Sequence, residues 1–90
     1  MVKKGRRRGT VRFTLSSNGA ARQAFVAGDF TGWEPLAMRK RAGVFGVTVP
    51  LRPGRYGYKF LVDGDWVKDP DNSDWAASDL GTINSLAVVE

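Results

Sequence analysis

The 90-residue sequence contains no cysteine and no histidine, and each absence excludes a class of site. Without cysteine, the chain can form neither disulfide bonds nor thiolate metal sites. Without histidine, it lacks the usual general base near neutral pH and the commonest metal ligand. No apolar run approaches the roughly 20 residues of a membrane-spanning helix, and the N-terminus has no apolar signal region. We therefore expect a cytoplasmic protein with no membrane association and no cofactor.

The length and the charge distribution limit the domain organisation. Ninety residues are enough for one domain with a small core, and far fewer than the roughly 250 of a catalytic barrel. The net charge of +5 arises in residues 1–8, which hold five basic and no acidic residues, while residues 9–90 contain nine of each sign. Runs of like charge are typically disordered. The sequence therefore predicts a disordered basic tail over residues 1–8 and one domain over residues 9–90.

Hydrophobic alternation predicts an all-β fold. In residues 10–15, Val11, Phe13 and Leu15 share one face, which is the period of a strand. The strongest pattern lies in residues 55–62, where aromatic and aliphatic side chains occupy every second position. The predicted strands comprise residues 10–15, 23–27, 36–40, 44–49, 55–62, 66–67 and 83–89. Residues 69–79 are predicted to form a loop with one helical turn at residues 75–77.

Glycine-containing turns connect these strands. Residues 41–43 and the pair Asp63-Gly64 are each typical of a tight hairpin connection. About seven short antiparallel strands within 90 residues predict an immunoglobulin-like β-sandwich.

Two tryptophans follow tight turns. Trp33 ends the segment GDFTGW at residues 28–33, and Trp66 ends DGDW at residues 63–66. An indole usually enters the core, since burying it removes roughly 150–250 Å² from water. Beside glycine-bounded loops it can instead offer a flat apolar surface to a ligand, such as the apolar C–H face of a sugar ring. From these residues alone, a structural role at the sandwich edge remains the alternative.

Three segments resemble the family 48 carbohydrate-binding modules. They are GDFTGW at residues 28–33, LRPGRYGYKFLVDGDW at residues 51–66, and LGTINS at residues 80–85, which follows Asp69-Pro70. The family includes the glycogen-binding domain of the AMP-activated protein kinase β subunit and N-terminal domains of isoamylases and glycogen-branching enzymes. The resemblance covers residues 11–89. It implies an early-set β-sandwich that binds α-1,4-linked glucans such as glycogen, starch and maltooligosaccharides.

The resemblance also implies which residues contact the sugar. These carbohydrate-binding candidates are Trp33, Lys59, Trp66, Leu80, Thr82 and Asn84.

Each candidate also has an ordinary structural interpretation. Lys59 alternates with core aromatics and should point outward, where its ammonium can donate to sugar hydroxyls or simply meet solvent. Thr82 and Asn84 follow Gly81 and are equally typical of a turn. Leu80 would otherwise belong to the core. Trp75 occupies no position of the family motifs, and we expect it to pack the loop at residues 69–79 rather than to form a third sugar platform.

The acidic residues do not predict a catalytic or metal site. Asp63 and Asp65 flank a solvated turn, whereas glycoside hydrolysis requires two carboxyl groups about 5–9 Å apart across a cleft. Residues 69–74 begin like a calcium loop, but the sixth position lacks glycine and Leu80 stands where a bidentate glutamate is needed. We therefore expect a non-catalytic protein without a metal site.

The sequence leaves several functions open. Glucan binding is the favoured function, and a separate glycogen-metabolising enzyme or kinase subunit is the expected protein partner. The main alternative is a scaffold β-sandwich whose basic tail contacts an acidic partner. A third alternative, nucleic-acid binding through the tail and the aromatic residues, is the least favoured of the three.

Overall fold

The computed structural model describes residues 1–16, 21–77 and 81–90 as two antiparallel β-sheets that enclose one core. Its ten strands are β1 (Val2–Lys4), β2 (Thr10–Ser16), β3 (Ala24–Gly28), β4 (Leu36–Ala37), β5 (Arg39–Arg41), β6 (Val44–Pro50), β7 (Gly54–Val62), β8 (Asp65–Val67), β9 (Trp75–Ala77) and β10 (Ile83–Val89). The described part of the chain contains a single 3₁₀ turn, Asp29–Thr31, and no α-helix. The predicted all-β sandwich is therefore confirmed. No helix in these residues is long and apolar enough to cross a membrane.

The two sheets differ in size and strand order. The four-stranded sheet has the order β1-β2-β6-β5, and the six-stranded sheet has the order β4-β3-β7-β10-β9 with β8 also paired to β7. Strand β7 is nine residues long, so its first half pairs with β10 and its second half with β8. Strands β8 and β10, which are distant in the sequence, therefore lie along the same edge of β7.

The predicted hairpin turns form at the expected positions. Strands β5 and β6 are joined by Ala42 and Gly43, with φ of 51° and 80°, and β7 and β8 by Asp63 and Gly64, with φ of 48° and 91°. Positive φ at both central residues defines the turn type whose twist matches that of antiparallel strands. Local turn chemistry therefore sets the register of both hairpins.

The core lies between the sheets and is rich in aromatic side chains. Phe13 of the four-stranded sheet meets Tyr58 of the six-stranded sheet edge to face, with ring centroids 4.9 Å apart. Phe30 stacks on Phe13 at 5.0 Å, and Phe60 lies edge to face with Tyr58 at 5.7 Å. Aromatic contacts of this kind add to the free energy gained from apolar burial. The alternation of hydrophobic residues in β2 and β7 therefore correctly predicted which side chains of these strands face the core.

A buried polar network ties the segment after β8 to the six-stranded sheet. The Tyr58 hydroxyl donates to Asp69 Oδ2 at 2.6 Å and accepts from Asn72 Nδ2 at 2.9 Å. The Asp69 amide donates to Ser85 Oγ at 2.8 Å, and Asn72 Nδ2 also donates to the carbonyl of Leu86 at 2.9 Å. Burial, followed by the hydrogen bond to Asp69, raises the pKa of Tyr58 well above its ordinary value of 10.0.

The raised pKa predicts a loss of stability in alkali. Above pH 10 the unfolded state releases the Tyr58 proton while the folded state retains it, so rising pH favours unfolding; below pH 10 both states hold the proton. Wild-type protein should lose about 1.4 kcal/mol of unfolding free energy per pH unit above pH 10 in excess of Tyr58→Phe. Urea unfolding of both proteins between pH 8 and 11 measures this difference. Parallel pH profiles would contradict it.

The structure differs from the sequence-based expectations at three places. Val2–Lys4, within the predicted disordered tail, form β1 and pair with β2. The segment predicted as one strand over residues 36–40 is split, because Met38 is buried and its amide donates to the carbonyl of Ala24 at 2.9 Å. Trp75–Ala77 form strand β9 against β10 rather than a helical turn. All three differences result from backbone hydrogen bonds to another strand, which the side-chain pattern of the segment itself does not reveal.

Candidate functional site

The outward face of the six-stranded sheet carries the candidate site. Tyr58 and Phe60 point into the core, so Gly57 and Lys59 of β7 face outward. Cross-strand register then places Leu86 of β10 opposite Gly57, and Trp66 of β8 opposite Leu61, on this same outward face. Side chains directly opposite each other in an antiparallel pair lie on one face of the sheet.

A groove of about 900 Å³ lies over this face. Volumes of roughly 300–1,000 Å³ are typical of ligand sites. The lining residues are Asp29, Trp33, Arg55, Gly57, Lys59, Trp66, Ala76, Ala77, Thr82, Asn84 and Leu86. The two tryptophans, 33 positions apart in the sequence, therefore border the same groove.

Trp33 is held by its own turn. Its backbone amide donates to the carbonyl of Gly28 at 3.0 Å, and its indole Nε1 donates to Asp29 Oδ1 at 3.1 Å. The residue has φ of 65°, a left-handed conformation that is unfavourable for a bulky side chain and recurs at functional sites. The indole is 37% exposed, so its hydrogen-bonding group is satisfied while part of the ring faces solvent.

Trp66 lies on a short strand whose turn is fixed independently of the indole. Asp63, the first residue of that turn, accepts hydrogen bonds from the amides of Arg22 and Gln23, the shortest at 2.9 Å. The Trp66 side chain is 50% exposed. The ring is therefore presented by a well-anchored hairpin and is not required to fill the core.

The polar candidates line the same groove as the two tryptophans. Lys59 is half-buried, Thr82 is exposed and Asn84 is only 8% exposed, and all three line the groove. Leu80, the remaining candidate, lies outside the described residues. The structure thus brings Trp33, Lys59, Trp66, Thr82 and Asn84 into one groove; their contact with a ligand stays a prediction.

Sequence reasoning missed six groove residues, namely Asp29, Arg55, Gly57, Ala76, Ala77 and Leu86. Asp29 Oδ2 accepts from the amide of Gly57 at 2.8 Å, so one carboxylate fixes both Trp33 and the groove floor. Arg55 and Gly57 share the outward face with Lys59 by strand alternation, and this pattern could have identified them. A Cβ atom on Gly57 would lie 3.3 Å from Asp29 Oδ2 and 3.5 Å from Asn84 Nδ2. Glycine therefore keeps the floor open.

Trp75 lies outside this groove. It pairs with Ser85, whose side chain points to the core side of the sheet, whereas its neighbour Ala76 pairs with Asn84 on the groove side. Its side chain is 61% exposed, more than either of the other tryptophans. The register thus places Trp75 on the opposite side of the strand from the groove, where it does not form a third platform.

Several acidic side chains have structural partners. Asp29, Asp63 and Asp69 accept hydrogen bonds from backbone amides, and Asp69 also accepts from Tyr58. Among residues 1–16, 21–77 and 81–90, no group of three or more acidic side chains is arranged to hold a metal ion. The geometry of the site is that of a binding groove with an aromatic border.

Comparison with known proteins assigns this arrangement to a family. Residues 11–90 match the family described as the glycogen recognition site of AMP-activated protein kinase. The chain belongs to this family of carbohydrate-binding modules. The module is 33% identical over 72 residues to the 5'-AMP-activated protein kinase subunit beta-1 of Sus scrofa, a match that covers 80% of the module and 58% of that protein. It is 42% identical over 53 residues to PTST homolog 2, a chloroplastic protein of Arabidopsis thaliana, covering 57% of the module and 10% of that protein.

Solved structures show the same fold within larger proteins. The maltogenic amylase from S. marinus superposes with a TM-score of 0.80 at 28% identity, covering 90% of the module and 13% of the amylase. An enterochelin esterase from Shigella flexneri superposes with a TM-score of 0.76 at 17% identity, which shows the fold alone. The module thus corresponds to a part of each of these proteins.

Proposed function

We propose that the module binds α-1,4-linked glucans such as glycogen, starch and maltooligosaccharides in the described groove, without chemical conversion of the sugar. The observation that carries the proposal is that Trp33 and Trp66 line one groove together with polar side chains. The family description names glycogen recognition, and one structural neighbour is a maltogenic amylase. Both comparisons support an α-glucan rather than another polysaccharide.

In this proposal, different groove residues contact different parts of a glucose unit. The indoles of Trp33 and Trp66 stack on the apolar C–H faces of the sugar rings and remove them from water. The Lys59 ammonium donates to sugar hydroxyls, and the Asn84 amide can both donate and accept. Thr82 adds a hydroxyl at the groove rim, and Leu80 an apolar contact that rests on the family resemblance. Asp29 acts through Trp33 by holding its indole.

We expect glucan affinity to be independent of salt and pH. A neutral oligosaccharide releases no counterions, so the slope of log affinity against log salt should be about zero, against about −0.9 per phosphate for duplex DNA. The sequence lacks histidine, the only side chain whose ordinary pKa lies between pH 5 and 8. Titration with maltoheptaose, followed by tryptophan fluorescence from pH 6 to 9 and from 50 to 500 mM salt, measures both dependences.

Cellohexaose, a β-1,4-linked glucan, is the matched ligand control. Binding of maltoheptaose but not of cellohexaose is the expected result, because the two chains present their ring faces with different curvature. Equal binding of both sugars, or no binding of maltoheptaose at millimolar concentration, would contradict the proposal. An affinity that titrates with a midpoint near pH 7 would show that a group outside the proposed set takes part.

The protein partner and the location are further proposals. Since several relatives are kinase subunits, we propose that the module brings a kinase subunit or a glycogen-metabolising enzyme to the glucan in the cytoplasm. Co-sedimentation with glycogen tests this, since such an enzyme from the same source should sediment only when the module is present. An enzyme whose sedimentation does not depend on the module would contradict the partner proposal.

A further inference from the structure

The charged residues of this chain are segregated between the two sheets. Residues 1–16 and 39–50, which contain all four strands of the smaller sheet, include nine of the 14 basic residues and none of the nine acidic ones. The acidic residues lie in the remainder of the chain, largely in the turns that follow β7 and β8. A surface with one sign of charge attracts a partner of the opposite sign.

The strand register gathers four of these cations on one surface. Val11, Phe13 and Leu15 of β2 are buried, so Arg12 points away from the core. Lys3 of β1 is opposite Arg12, while Arg39 and Arg41 of β5 are opposite Gly46 and Val44. Thr48 and Gly46 of β6 lie between the two groups. We name the outward surface formed by Lys3, Arg12, Arg39 and Arg41 the basic face.

Arg12 is held flat on this face. Its Nη1 donates to Thr48 Oγ1 at 3.0 Å, and a Cβ atom on Gly46 would lie only 2.4 Å from its Nη2. The guanidinium therefore covers the glycine, on the strand next to Arg39. Within residues 1–16, 21–77 and 81–90, none of the four cations of the basic face forms an ion pair with an acidic side chain.

The chemistry of the face indicates the kind of partner. Arg39 and Arg41 are two residues apart on one strand, which separates them by about 7 Å along it, the spacing of alternate side chains in any extended peptide. Arginine binds carboxylates through paired N–H groups. The face has no aromatic side chain for base stacking, and the described residues contain no α-helix that could enter a DNA groove. These features favour carboxylates on an extended chain over nucleic acid.

We propose that the basic face docks an extended acidic polypeptide segment that carries carboxylates at alternate positions. The groove lies on the outward face of the other sheet, so an acidic segment and a glucan bind at the same time without competition. The docking surface is therefore independent of the proposed glucan binding, and each can fail without the other.

A labelled peptide of six Glu-Ser repeats tests the proposal by fluorescence anisotropy, with a Gln-Ser peptide as the neutral control. The variant Arg12→Gln/Arg39→Gln/Arg41→Gln should bind the acidic peptide about tenfold more weakly, since each exposed ion pair contributes modestly. The matched variant Arg22→Gln/Arg52→Gln/Lys68→Gln removes the same charge from exposed positions elsewhere and should change the affinity less than about twofold. Saturating maltoheptaose should leave peptide affinity unchanged.

Retained maltoheptaose binding shows that the arginine variant is folded, and Arg39→Gln/Arg41→Gln leaves the Arg12–Thr48 contact intact as a second variant. An equal loss in both triple variants would show attraction by net charge alone and would overturn the proposal. So would the absence of peptide binding at about 100 mM salt, where the Debye length is about 10 Å. Tighter binding of duplex DNA or of phosphatidylserine vesicles through the same three arginines would also overturn it.

Discussion

Replacing Trp66 with alanine should weaken maltoheptaose binding about 10- to 100-fold, because an aromatic anchor of a binding site typically contributes about 2 kcal/mol. The fold should survive, since the Trp66 ring is 50% exposed and its hairpin is anchored by Asp63. The melting temperature should change by no more than the roughly 4–8 °C that accompanies 1 kcal/mol in a domain of this size.

Trp33→Ala should have a similar effect on affinity. The substitution removes the indole and its hydrogen bond to Asp29, whereas Asp29 keeps its bond to the amide of Gly57. The groove floor therefore stays in place while one of its two aromatic borders is lost.

Trp75→Ala is the matched control for both variants, because Trp75 is exposed but lies on the other side of its strand from the groove. Its affinity for maltoheptaose should stay within about twofold of the wild type, since surface residues outside a site contribute little to binding. Isothermal titration gives the affinities, and circular dichroism gives the melting temperatures. Full binding by both Trp33→Ala and Trp66→Ala, or an equal loss in Trp75→Ala, would show that the site is elsewhere.

Gly57→Val should abolish most glucan binding by filling the groove. The new Cβ atom would lie 3.3 Å from Asp29 Oδ2 and 3.5 Å from Asn84 Nδ2, and its methyl groups would extend further from the groove floor. The affinity should fall by at least about tenfold, which corresponds to about 1.4 kcal/mol. The strand itself should tolerate valine, because β-branched residues favour extended backbone.

A graded series sharpens this prediction. Gly57→Ala should reduce the affinity less than Gly57→Val, since its single methyl group requires only a small shift of the Asp29 carboxylate, 3.3 Å away. Thr14→Val introduces the same side chain in a strand of the other sheet and should leave glucan binding unchanged. If Gly57→Val binds maltoheptaose as well as Thr14→Val does, the sugar does not occupy the groove over β7.

The sequence predicted those parts of the site that depend on local pattern. Alternation in β7 identified Lys59 as outward-facing, and the Asp63-Gly64 pair identified the hairpin that presents Trp66. Asp29 could not be found this way. It directly follows β3, and its carboxylate reaches the amide of Gly57 only because the register of β3 against β7 places the two residues side by side.

Two short strands also could not be predicted from the local sequence pattern. Trp75–Ala77 has no alternation, so only its pairing with β10 makes it a strand and turns Trp75 away from the groove. Likewise, Val2–Lys4 is extended because it pairs with β2, although its charge alone is typical of disorder. Hydrogen bonds to a partner strand supplied the stabilisation that three residues lack by themselves.

By itself, the sequence determined the sandwich, its core faces, its hairpin turns and the family, since all of these follow from alternation, turn chemistry and motifs along the chain. Only the tertiary structure decided that Trp33 and Trp66 border one groove and that Lys3, Arg12, Arg39 and Arg41 share one face. The physical reason is register, because pairing between distant strands selects which side chains become neighbours, and a shift of one residue would turn each of them to the opposite face.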